Sequence, residues 1–262
     1  LKAANAELLV VWGGYFPSVH PDVVAREPAV DVVVLGQGED TLRELVEAAS
    51  TGASLAVAGT AVWRDGALQR GVGRPLRVSS TYGPTPFALV DMEKYAARSF
   101  LGSRTYNLHS SVGCPFFCNF CAVVNLYAGR WLPDPAEAVI DEVRTLATRY
   151  GANAVEFHDN NFFAWEKRCR EVADGIADAG VSWWGEGRID TMLGFAGATW
   201  EAMARSGLRM VFFGAESGDD EALARMDKGG LQVADTLALN RVAKRHGVRP
   251  EFSFVLGNAG DP

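Results

Sequence analysis

The chain is poor in cysteine and has no long apolar run, and both shortages narrow what it can be. Four cysteines among 262 residues are too few for a small secreted domain stabilised by disulfides. Asp, Arg, Glu or Gly interrupts every apolar stretch before it reaches the length of a membrane-spanning helix. The first residues do not have the pattern of a secretory signal either. We therefore expect a protein of the reducing cytoplasm that has no membrane partner.

Positive charge is also in deficit. The 25 Lys and Arg residues are outnumbered by 32 Asp and Glu residues, which gives a net charge of −7. Such a chain has no broad basic surface for nucleic acid, so we expect a small-molecule substrate. The apolar fraction of 48% and the charged fraction of 22% are typical of a globular protein. The length is sufficient for one large domain or two ordinary ones.

Three of the cysteines lie close together in the chain. The run Gly113–Cys121 reads Gly-Cys-Pro-Phe-Phe-Cys-Asn-Phe-Cys, so its thiols have the spacing Cys-x3-Cys-x2-Cys. Short runs of this kind ligate iron–sulfur clusters. Three thiolates can bind three irons of a 4Fe-4S cube, and the fourth iron is then open to an outside ligand. The predicted metal ligands are Cys114, Cys118 and Cys121.

This run resembles that of the radical S-adenosylmethionine (SAM) superfamily in its spacing, in the Pro115-Phe116 pair after the first cysteine and in Phe120 before the third. The resemblance implies that the amino and carboxylate groups of SAM chelate the open iron. It also implies reductive cleavage of SAM to a 5′-deoxyadenosyl radical, with electrons from a protein such as flavodoxin or ferredoxin. Phe120 corresponds to an aromatic residue that lies against the adenine in this family.

A structural zinc site is the main alternative reading of the cysteine run. It would need a fourth protein ligand, for which His109, His158 or Cys169 is available. Zinc motifs usually supply a second Cys or His pair at short range, and none follows here. Cys169 lies in a helical stretch at 166–171, and we expect it to pack as a small apolar side chain.

Strand patterns dominate the start of the chain. Apolar runs at 7–12 and 31–35 have the length of buried strands, and each run ends in a glycine turn. A helical pattern follows the second turn. Such strand–turn–helix units build open parallel sheets whose ligands lie beyond the carboxyl ends of the strands.

The helix at 39–49 is predicted from the helical spacing of Leu42, Leu45 and Val46. After it, Asp65-Gly66 separates two short strand-like segments and predicts a two-residue hairpin. The pattern then loosens into a stretch rich in Gly and Pro. We interpret that stretch as a linker.

From Thr105 onward, strands and helices alternate again with longer repeats. We predict five strands, at 105–111, 153–158, 181–185, 208–214 and 251–256. The predicted helices between them lie at 135–150, 166–179, 200–205, 220–226 and 232–245. The first of these helices is expected to have Asp134 as an acidic cap and Pro135 at its first position. Repeated units of this kind close into a barrel or a curved half-barrel.

The radical SAM resemblance implies the same α/β architecture. The family has a partial six-stranded α/β barrel, and its cysteine loop follows the first strand, as it does here. The sixth strand would lie past Pro262. Because Leu1 is also not a start methionine, we expect the chain to be a fragment of a longer protein.

Barrel active sites lie at the carboxyl ends of the strands, so we expect SAM-binding residues there. The second strand ends at Asp159 and Asn160, where many family members have a Gly-Gly-Glu run that binds the SAM amino group; a simple turn is the alternative. The third strand ends at Glu186 and Arg188. Arg188 could hold the SAM carboxylate in a bidentate fork, or it could form a salt bridge with Glu186.

The last two strands complete the predicted SAM site. The run Gly214–Gly218 resembles the Gly-x-Glu-Ser-Gly run of many radical SAM enzymes. This resemblance implies that Glu216 and Ser217 contact SAM, with Glu216 accepting from the ribose hydroxyls or the substrate. The following run, 224–229, also resembles the family. After the fifth strand, Gly257 would allow the backbone to approach the adenosine.

The amino-terminal segment carries a second resemblance. Its double-glycine turn and its 31–42 stretch are similar to the carboxyl-terminal half of the cobalamin-binding domain that precedes the barrel in one radical SAM subfamily. A dinucleotide loop is the alternative, but no third glycine follows at the required spacing. The family loop that can supply a lower cobalt ligand would come before this chain. The residues implied to bind cobalamin are Gly13, Gly14, Gly36 and Gly38.

Two domains joined by a linker follow from these patterns. We predict the carboxyl-terminal half of a Rossmann-like cobalamin-binding domain at 1–70, a linker at 71–104 and a truncated radical SAM barrel at 105–262.

The resemblance implies a cobalamin-dependent radical SAM enzyme. In the methylating members, the SAM-derived radical activates an unactivated carbon and methylcobalamin donates the methyl group. A similar branch performs oxidative cyclisation or rearrangement without methyl transfer, and sequence alone does not separate the two. A methylthiotransferase is disfavoured by the amino-terminal resemblance. A metal- or cobalamin-binding module without catalysis also stays open.

Overall fold

The structure is a computed structural model that describes residues 2–257. The chain divides into two compact units, Leu1–Arg77 and Val78–Pro262. This division falls inside the predicted linker, and part of that linker belongs to the second unit. Met92 is buried in the core of the second unit, with Phe87 and Ala96 packed against it. In the part of the chain that is described, no helix has the length and apolar character needed to cross a membrane.

The first unit contains a four-stranded sheet in the order β1-β2-β3-β4. Strands β1 and β2 are parallel, whereas β3 and β4 form the predicted antiparallel hairpin. The elements are β1 (Val11–Trp12), α1 (Tyr15–Val19), α2 (Pro21–Ala25), β2 (Val32–Val34), α3 (Glu39–Thr51), β3 (Thr60–Arg64) and β4 (Ala67–Arg70). The strand–turn–helix unit predicted around residues 31–49 is therefore confirmed.

Helix α3 buries a different face from the one predicted. Leu45 is buried, but Leu42 and Val46 are 51% and 60% exposed. The side chain that turns inward is Thr41, which is fully buried. Its hydroxyl donates to the Ala58 carbonyl at 3.1 Å. The buried face of the helix thus includes Thr41, whose hydroxyl satisfies a backbone carbonyl, in place of the predicted Leu42 one position later.

The second unit is built on a five-stranded sheet in the order β11-β10-β9-β8-β5. All of its strand pairs are parallel and join strands that follow one another around the sheet, as in a barrel. The strands of this unit are β5 (Thr105–Leu108), β6 (Ser111–Gly113), β7 (Trp131–Pro133), β8 (Ala154–Phe157), β9 (Ser182–Gly187), β10 (Leu208–Glu216) and β11 (Arg249–Phe254). Four of the five predicted strands are confirmed as single strands, and the first is divided in two. The sixth, expected past Pro262, lies outside the described residues.

Seven α-helices connect these strands within the described residues. They are α4 (Ala122–Tyr127), α5 (Ala136–Tyr150), α6 (Glu166–Ile176), α7 (Ile189–Leu193), α8 (Gly197–Arg205), α9 (Asp220–Arg225) and α10 (Val233–Arg245). Helix α5 packs Val139, Val143 and Leu146 into the core. It ends, as predicted, at Gly151, whose φ of 66° is left-handed.

The predicted capping role of Asp134 is wrong. No side chain caps α5, whose N-cap residue is Pro135. The buried Asp134 carboxylate instead accepts from the Ser80 backbone N–H at 2.6 Å. Its own carbonyl accepts from Arg168 Nε at 2.9 Å. Asp134 therefore ties the segment before the barrel to the barrel itself.

The first predicted strand, 105–111, is two strands. β5 ends at Leu108, and β6 pairs with β7 in a separate antiparallel sheet. The chain turns between them because the Asp159 carboxylate accepts from the backbone N–H groups of Ser110 and Ser111, at 2.5 and 2.7 Å. The cysteine run thus begins from a two-stranded sheet that is separate from the barrel sheet.

Candidate cluster and cofactor site

The cysteine run forms a loop between β6 and α4. Its three thiols, Cys114, Cys118 and Cys121, are half-buried and unoxidised. Burial raises the pKa of the Cys114 thiol, against hydrogen bonds from the Phe116 backbone and the Asn161 side chain that lower it. The thiols are therefore shielded from solvent but not sealed from a ligand.

Two glycines allow this loop to pack closely. Gly113 has a φ of 80°, and a Cβ there would lie 2.2 Å from the Arg130 carbonyl oxygen. Gly129 has a φ of 71°, and a Cβ there would lie 2.1 Å from the Phe117 ring. Only glycine combines the left-handed backbone with such close approach. The glycine that opens the cysteine run is thus required by its packing.

Asn119 ties the loop to the segment that follows α9. Its side-chain amide donates to the Arg225 carbonyl at 2.7 Å. Its backbone N–H donates to the Met226 carbonyl at 3.4 Å. The 224–229 run, noted in the sequence only for its resemblance, therefore holds the cysteine loop in place.

Two side chains from other strand ends donate to the cysteine sulfurs. Arg188 Nη1 lies 3.1 Å from Cys118 Sγ. Asn161 Nδ2 lies 3.9 Å from Cys114 Sγ. Donors aimed at thiolate sulfurs are the surroundings in which iron–sulfur clusters are held and tuned. The chemistry of this donor set fits a thiolate-bound cluster.

A structural zinc site would need a fourth protein ligand beside the three cysteines. Cys169, a proposed fourth zinc ligand, is fully buried in α6, where burial raises its pKa to about 12. It is a packed thiol, as the sequence predicted.

A surface cavity of about 270 Å³ lies against the cysteine loop. Phe120, the predicted adenine contact, lines it and is 42% exposed. Its other lining residues include Phe117, Cys118, Cys121 and Val124. The cavity places exposed aromatic surface directly beside two of the thiols, which suits a planar base.

The prediction that Asp159 contacts SAM is not supported by its surroundings. Asp159 is fully buried. Besides the two backbone N–H groups at the β5–β6 turn, its carboxylate accepts from the Ser110 hydroxyl at 2.7 Å. Burial raises its pKa, and these hydrogen bonds oppose that rise. Asp159 thus has the turn-forming role that was its alternative, while Asn160 beside it is half-buried.

Arg188 pairs with Asp190 rather than with Glu186. Its Nε and Nη2 donate to the two carboxylate oxygens of Asp190 at 3.0 and 2.8 Å. Burial lowers the pKa of Arg188, but the Asp190 carboxylate raises it by more, so the net shift is upward. The guanidinium therefore remains charged. The bidentate fork predicted for the SAM carboxylate is therefore occupied within the chain. Asp190 lies in the first turn of α7, whose N-cap residue is Arg188, so the start of this helix brings the two side chains together.

Glu186 is half-buried near the end of β9, close to residues that follow β8. Burial raises the pKa of its carboxyl, and the charge of His158 partly offsets that rise. The His158 ring packs edge-on against Trp184, with 5.1 Å between centroids. His158 Nε2 also lies 3.5 Å from a carboxylate oxygen of Glu156. From the sequence, His158 was a candidate only as a zinc ligand. In the fold it lies near the carboxylates of Glu156 and Glu186.

Glu216 forms a buried ion pair that the sequence did not reveal. Its carboxylate contacts the Lys228 ammonium, which also donates to the Gly214 carbonyl. Both side chains of the pair are under a tenth exposed. The backbone of Glu216 is left-handed, with φ 65°, which is uncommon for a residue with a long side chain. One oxygen of the predicted ribose contact is thus held by Lys228.

The remaining predicted SAM contacts lie in turns. Ser217 is half-buried, and its hydroxyl accepts from the Asp219 backbone N–H at 3.2 Å. Gly257 has a φ of 80°, and a Cβ there would meet no atom within 4 Å. A direct role in binding stays a prediction for both residues.

In the first unit, the glycine turns after β1 and β2 are connected by one side chain. The Ser18 hydroxyl donates to the Gly14 carbonyl at 2.7 Å and accepts from the Gly36 N–H at 2.9 Å. Gly14 and Gly36 have φ of 107° and 66°, so their turns need glycine. Gly13 and Gly38 both approach Val34, whose side chain would lie 3.3 Å from a Cβ at either position. Four predicted cobalamin residues therefore lie together at one edge of the sheet.

Exposed aromatic side chains border the first of these turns. Trp12 and Phe16 are 44% and 52% exposed, and their ring centroids are 6.4 Å apart. Tyr15 between them is 55% exposed. A flat, apolar ligand would find both open backbone and aromatic surface at this edge.

The chain matches the family model described as Radical SAM superfamily over residues 108–260. This range begins at the end of β5 and includes the cysteine loop and the other four strands of the barrel sheet.

Curated relatives extend the similarity to the first unit. An uncharacterized methyltransferase of Pyrococcus horikoshii is 32% identical over 261 residues, covering 98% of this chain and 55% of the relative. The anaerobic magnesium-protoporphyrin IX monomethyl ester cyclase of Synechocystis is 26% identical over 255 residues, covering 95% of this chain and 50% of the relative. The chain therefore spans about half the length of the curated relatives it matches.

Two solved structures share the fold over nearly the whole chain. The cobalamin-dependent SAM radical enzyme OxsB, with aqua-cobalamin bound, superposes with a TM-score of 0.78 at 20% identity, covering 97% of this chain and 38% of OxsB. The radical SAM methyltransferase TsrM of Kitasatospora setae, with cobalamin and a 4Fe-4S cluster bound, gives a TM-score of 0.75 at 20% identity, covering 97% and 51%. The shared fold includes both units.

Proposed function

Because the chain belongs to the radical SAM superfamily, we propose that Cys114, Cys118 and Cys121 bind a 4Fe-4S cluster with which the whole protein cleaves SAM reductively. The observation that carries this proposal is the convergence of donors on the cysteine loop, where Arg188 lies 3.1 Å from Cys118 Sγ. A cluster with SAM on its open iron supplies a 5′-deoxyadenosyl radical when an electron arrives. The electron donor would be a small reducing protein such as flavodoxin or ferredoxin.

The chain's own residues would hold and shield these groups. Asn161 and Arg188 orient two of the sulfurs from neighbouring strand ends. Phe120 offers an aromatic surface for the adenine beside Cys118. Trp184 and Glu186 are half-buried in β9, towards the strand end where a small substrate would bind.

We further propose that the first unit binds cobalamin and that the reaction is methylation of an unactivated carbon. The support is the cluster of open glycine turns at Gly13-Gly14 and 36–38, beside the exposed Trp12 and Phe16. The methyltransferase names of a 32% identical relative and of TsrM agree with this proposal. Cobalamin would supply the transferable methyl group, and the glycine turns would bring its tail against the backbone.

Oxidative cyclisation is the second candidate. A relative that covers 95% of the chain at 26% identity is named as an anaerobic cyclase. A cyclase would use the same cluster and SAM without transferring a methyl group. The two reactions therefore differ in their products rather than in the cluster site.

The test is an anaerobic assay of the full-length protein reconstituted with iron, sulfide and cobalamin. Reductant and SAM are added, and 5′-deoxyadenosine and S-adenosylhomocysteine are measured together. Methylation predicts both products, and cyclisation predicts 5′-deoxyadenosine alone. Cys118→Ala should abolish both, whereas the matched control Cys169→Ala, whose thiol is remote from any ligand role, should retain them. Equal product from wild type and Cys118→Ala would contradict the proposed function.

A further inference from the structure

Arg188 is held in an unusually complete set of contacts. Its side chain is 8% exposed. Nε and Nη2 are bound to Asp190, and Nη2 also donates to the Lys228 carbonyl at 2.9 Å. The guanidinium carbon lies 3.9 Å from the centroid of the Phe116 ring. Arg188 is therefore fixed in position from several sides.

The backbone beyond Lys228 is shaped to this guanidinium. Gly229 has a φ of 69°, and a Cβ there would lie 3.0 Å from Arg188 Nη2. Any larger residue would be strained by its backbone and would press on the guanidinium. With three contacts fixing the fork, Nη1 points at Cys118 Sγ.

A buried guanidinium at a cluster ligand has a definite electrostatic effect. Reduction places one more negative charge on the cluster and its thiolates, and a nearby cation stabilises the charged product more than the reactant. A charge-assisted hydrogen bond is also stronger than a neutral one. Asn161 is neutral, and its amide lies 3.9 Å from Cys114 Sγ. It therefore stabilises the reduced cluster less than Arg188 does, both through charge and through hydrogen bonding.

We propose that Arg188 raises the reduction potential of the cluster through its hydrogen bond to Cys118, with Asp190 as the residue that orients it. The inference rests on the proposed function, since it requires the three cysteines to hold a cluster. The step concerned is the one-electron reduction of the cluster by an external reductant. No covalent bond in the protein forms or breaks in that step.

The experiment is an EPR-monitored redox titration of the full-length protein, reconstituted anaerobically, with iron and sulfide content measured on each sample. Arg188→Gln removes the charge and the fork but leaves all three cysteines. We expect this variant to retain the cluster. The equilibrium constant for cluster reduction should fall at least tenfold, which lowers the reduction potential by about 59 mV for one electron. Arg170→Gln, at an exposed helical position whose ion pair with Asp174 spans 3.5 Å, should leave the potential unchanged.

Arg188→Lys separates the hydrogen bond from the charge. Lysine keeps the positive charge but cannot form two hydrogen bonds to Asp190 while it also donates to Cys118. The reduction potential of the cluster in this variant should therefore lie between those of wild type and Arg188→Gln. A second readout is proton ENDOR of the reduced cluster in H2O and D2O. The exchangeable proton coupling that comes from Arg188 should be present in wild type and lost in Arg188→Gln, while couplings from the donors to Cys114 remain.

The outcomes are distinguishable. A wild-type protein without iron and sulfide would overturn the proposed function and this inference together. A wild-type cluster whose potential is the same in Arg188→Gln would overturn only the inference. If Arg188→Gln fails to assemble a cluster, the decision passes to Arg188→Lys, where a wild-type potential would refute the hydrogen bond and a lowered one would support it.

Discussion

Asp159 illustrates how a single buried carboxylate determines the local path of the chain. It lies just past β8, and its oxygens accept from the Ser110 and Ser111 backbone groups and from the Ser110 hydroxyl. Arg168 lies close enough for its charge to lower the Asp159 pKa that burial raises. The turn that begins the cysteine-bearing hairpin depends on this residue.

We predict that Asp159→Ala destabilises the fold strongly. Two buried backbone N–H groups would lose their acceptor, at a cost of about 3 kcal/mol in the free energy of unfolding. Urea unfolding followed by circular dichroism measures this change. Asp178→Ala, an exposed carboxylate that pairs with Arg144 on the surface, is the matched control and should change stability by less than about 0.5 kcal/mol. Equal effects of the two substitutions would refute the structural role.

A pH-dependent prediction follows from Glu186. Burial raises its folded-state pKa above the ordinary value of 4.5. Its stabilising contribution is therefore complete below pH 4.5 and is lost as pH rises through the folded-state pKa. Glu186→Gln stays neutral, so it should match wild type in acid and be more stable at neutral pH. Urea unfolding at both conditions tests this, with the exposed Glu201→Gln as control; a variant that is less stable at neutral pH would count against the assignment.

At the residue scale, the sequence located the three thiols of one loop, whose role as cluster ligands stays a proposal, but it did not identify the partners of the polar residues. Thiols that are close in the chain lie close in space because their spacing is a local property. The partners of Arg188 and Glu216 could not be chosen in the same way. Several acidic and basic groups compete for each, and only the folded arrangement of strand ends decides among them.

Among the elements, β10 and the loop after α9 are joined by the Glu216–Lys228 pair. The pair holds the left-handed turn at Glu216 against Gly214. The same loop carries the Met226 and Lys228 carbonyls, which accept from the Asn119 backbone N–H and from Arg188. Strand β10 and the cysteine loop are therefore connected through a short segment centred on Lys228.

We predict that either partner of this pair is costly to remove alone. Glu216→Gln or Lys228→Met would leave a buried charge uncompensated, at roughly 3 to 5 kcal/mol of unfolding free energy. The double variant Glu216→Gln/Lys228→Met should recover much of that loss, since no unpaired charge remains. A double-mutant cycle by urea unfolding measures the coupling. Purely additive losses would show that the two groups do not interact.

The order of the strands and helices was predicted closely, but the residues at which they end were predicted less well. The five-strand alternation and the core face of α5 follow from apolar periodicity, which records burial directly. The break between β5 and β6 does not, because it depends on Asp159, which lies nearly fifty residues away in the chain. The buried face of α3 was misjudged for a similar reason, since Thr41 is drawn inward by a distant carbonyl.

For the whole molecule, two compact units carry two proposed cofactor sites. The cysteine loop and its donors lie within the second unit, and the glycine turns lie within the first. The contacts described for each site join residues of one unit. Loss of one cofactor should therefore leave the other site intact.

Gly14→Val tests this independence. Valine at φ 107° is strained and would disturb the turn that Ser18 connects to Gly36, so cobalamin content should fall while iron and sulfide stay at wild-type levels. Gly52→Val, at φ 70° at the end of α3, is the matched control for strain within the same unit and should retain cobalamin. Simultaneous loss of cluster and cobalamin in Gly14→Val would contradict independent sites.

The central claim is that three cysteines hold a cluster whose fourth iron binds SAM. The most direct measurement is the EPR spectrum of the reduced wild-type cluster with and without saturating SAM. Chelation by the SAM amino and carboxylate groups changes the coordination of one iron, so we predict a clear change in the g values. A reduced cluster with full iron and sulfide content whose spectrum is identical with and without SAM would contradict the account.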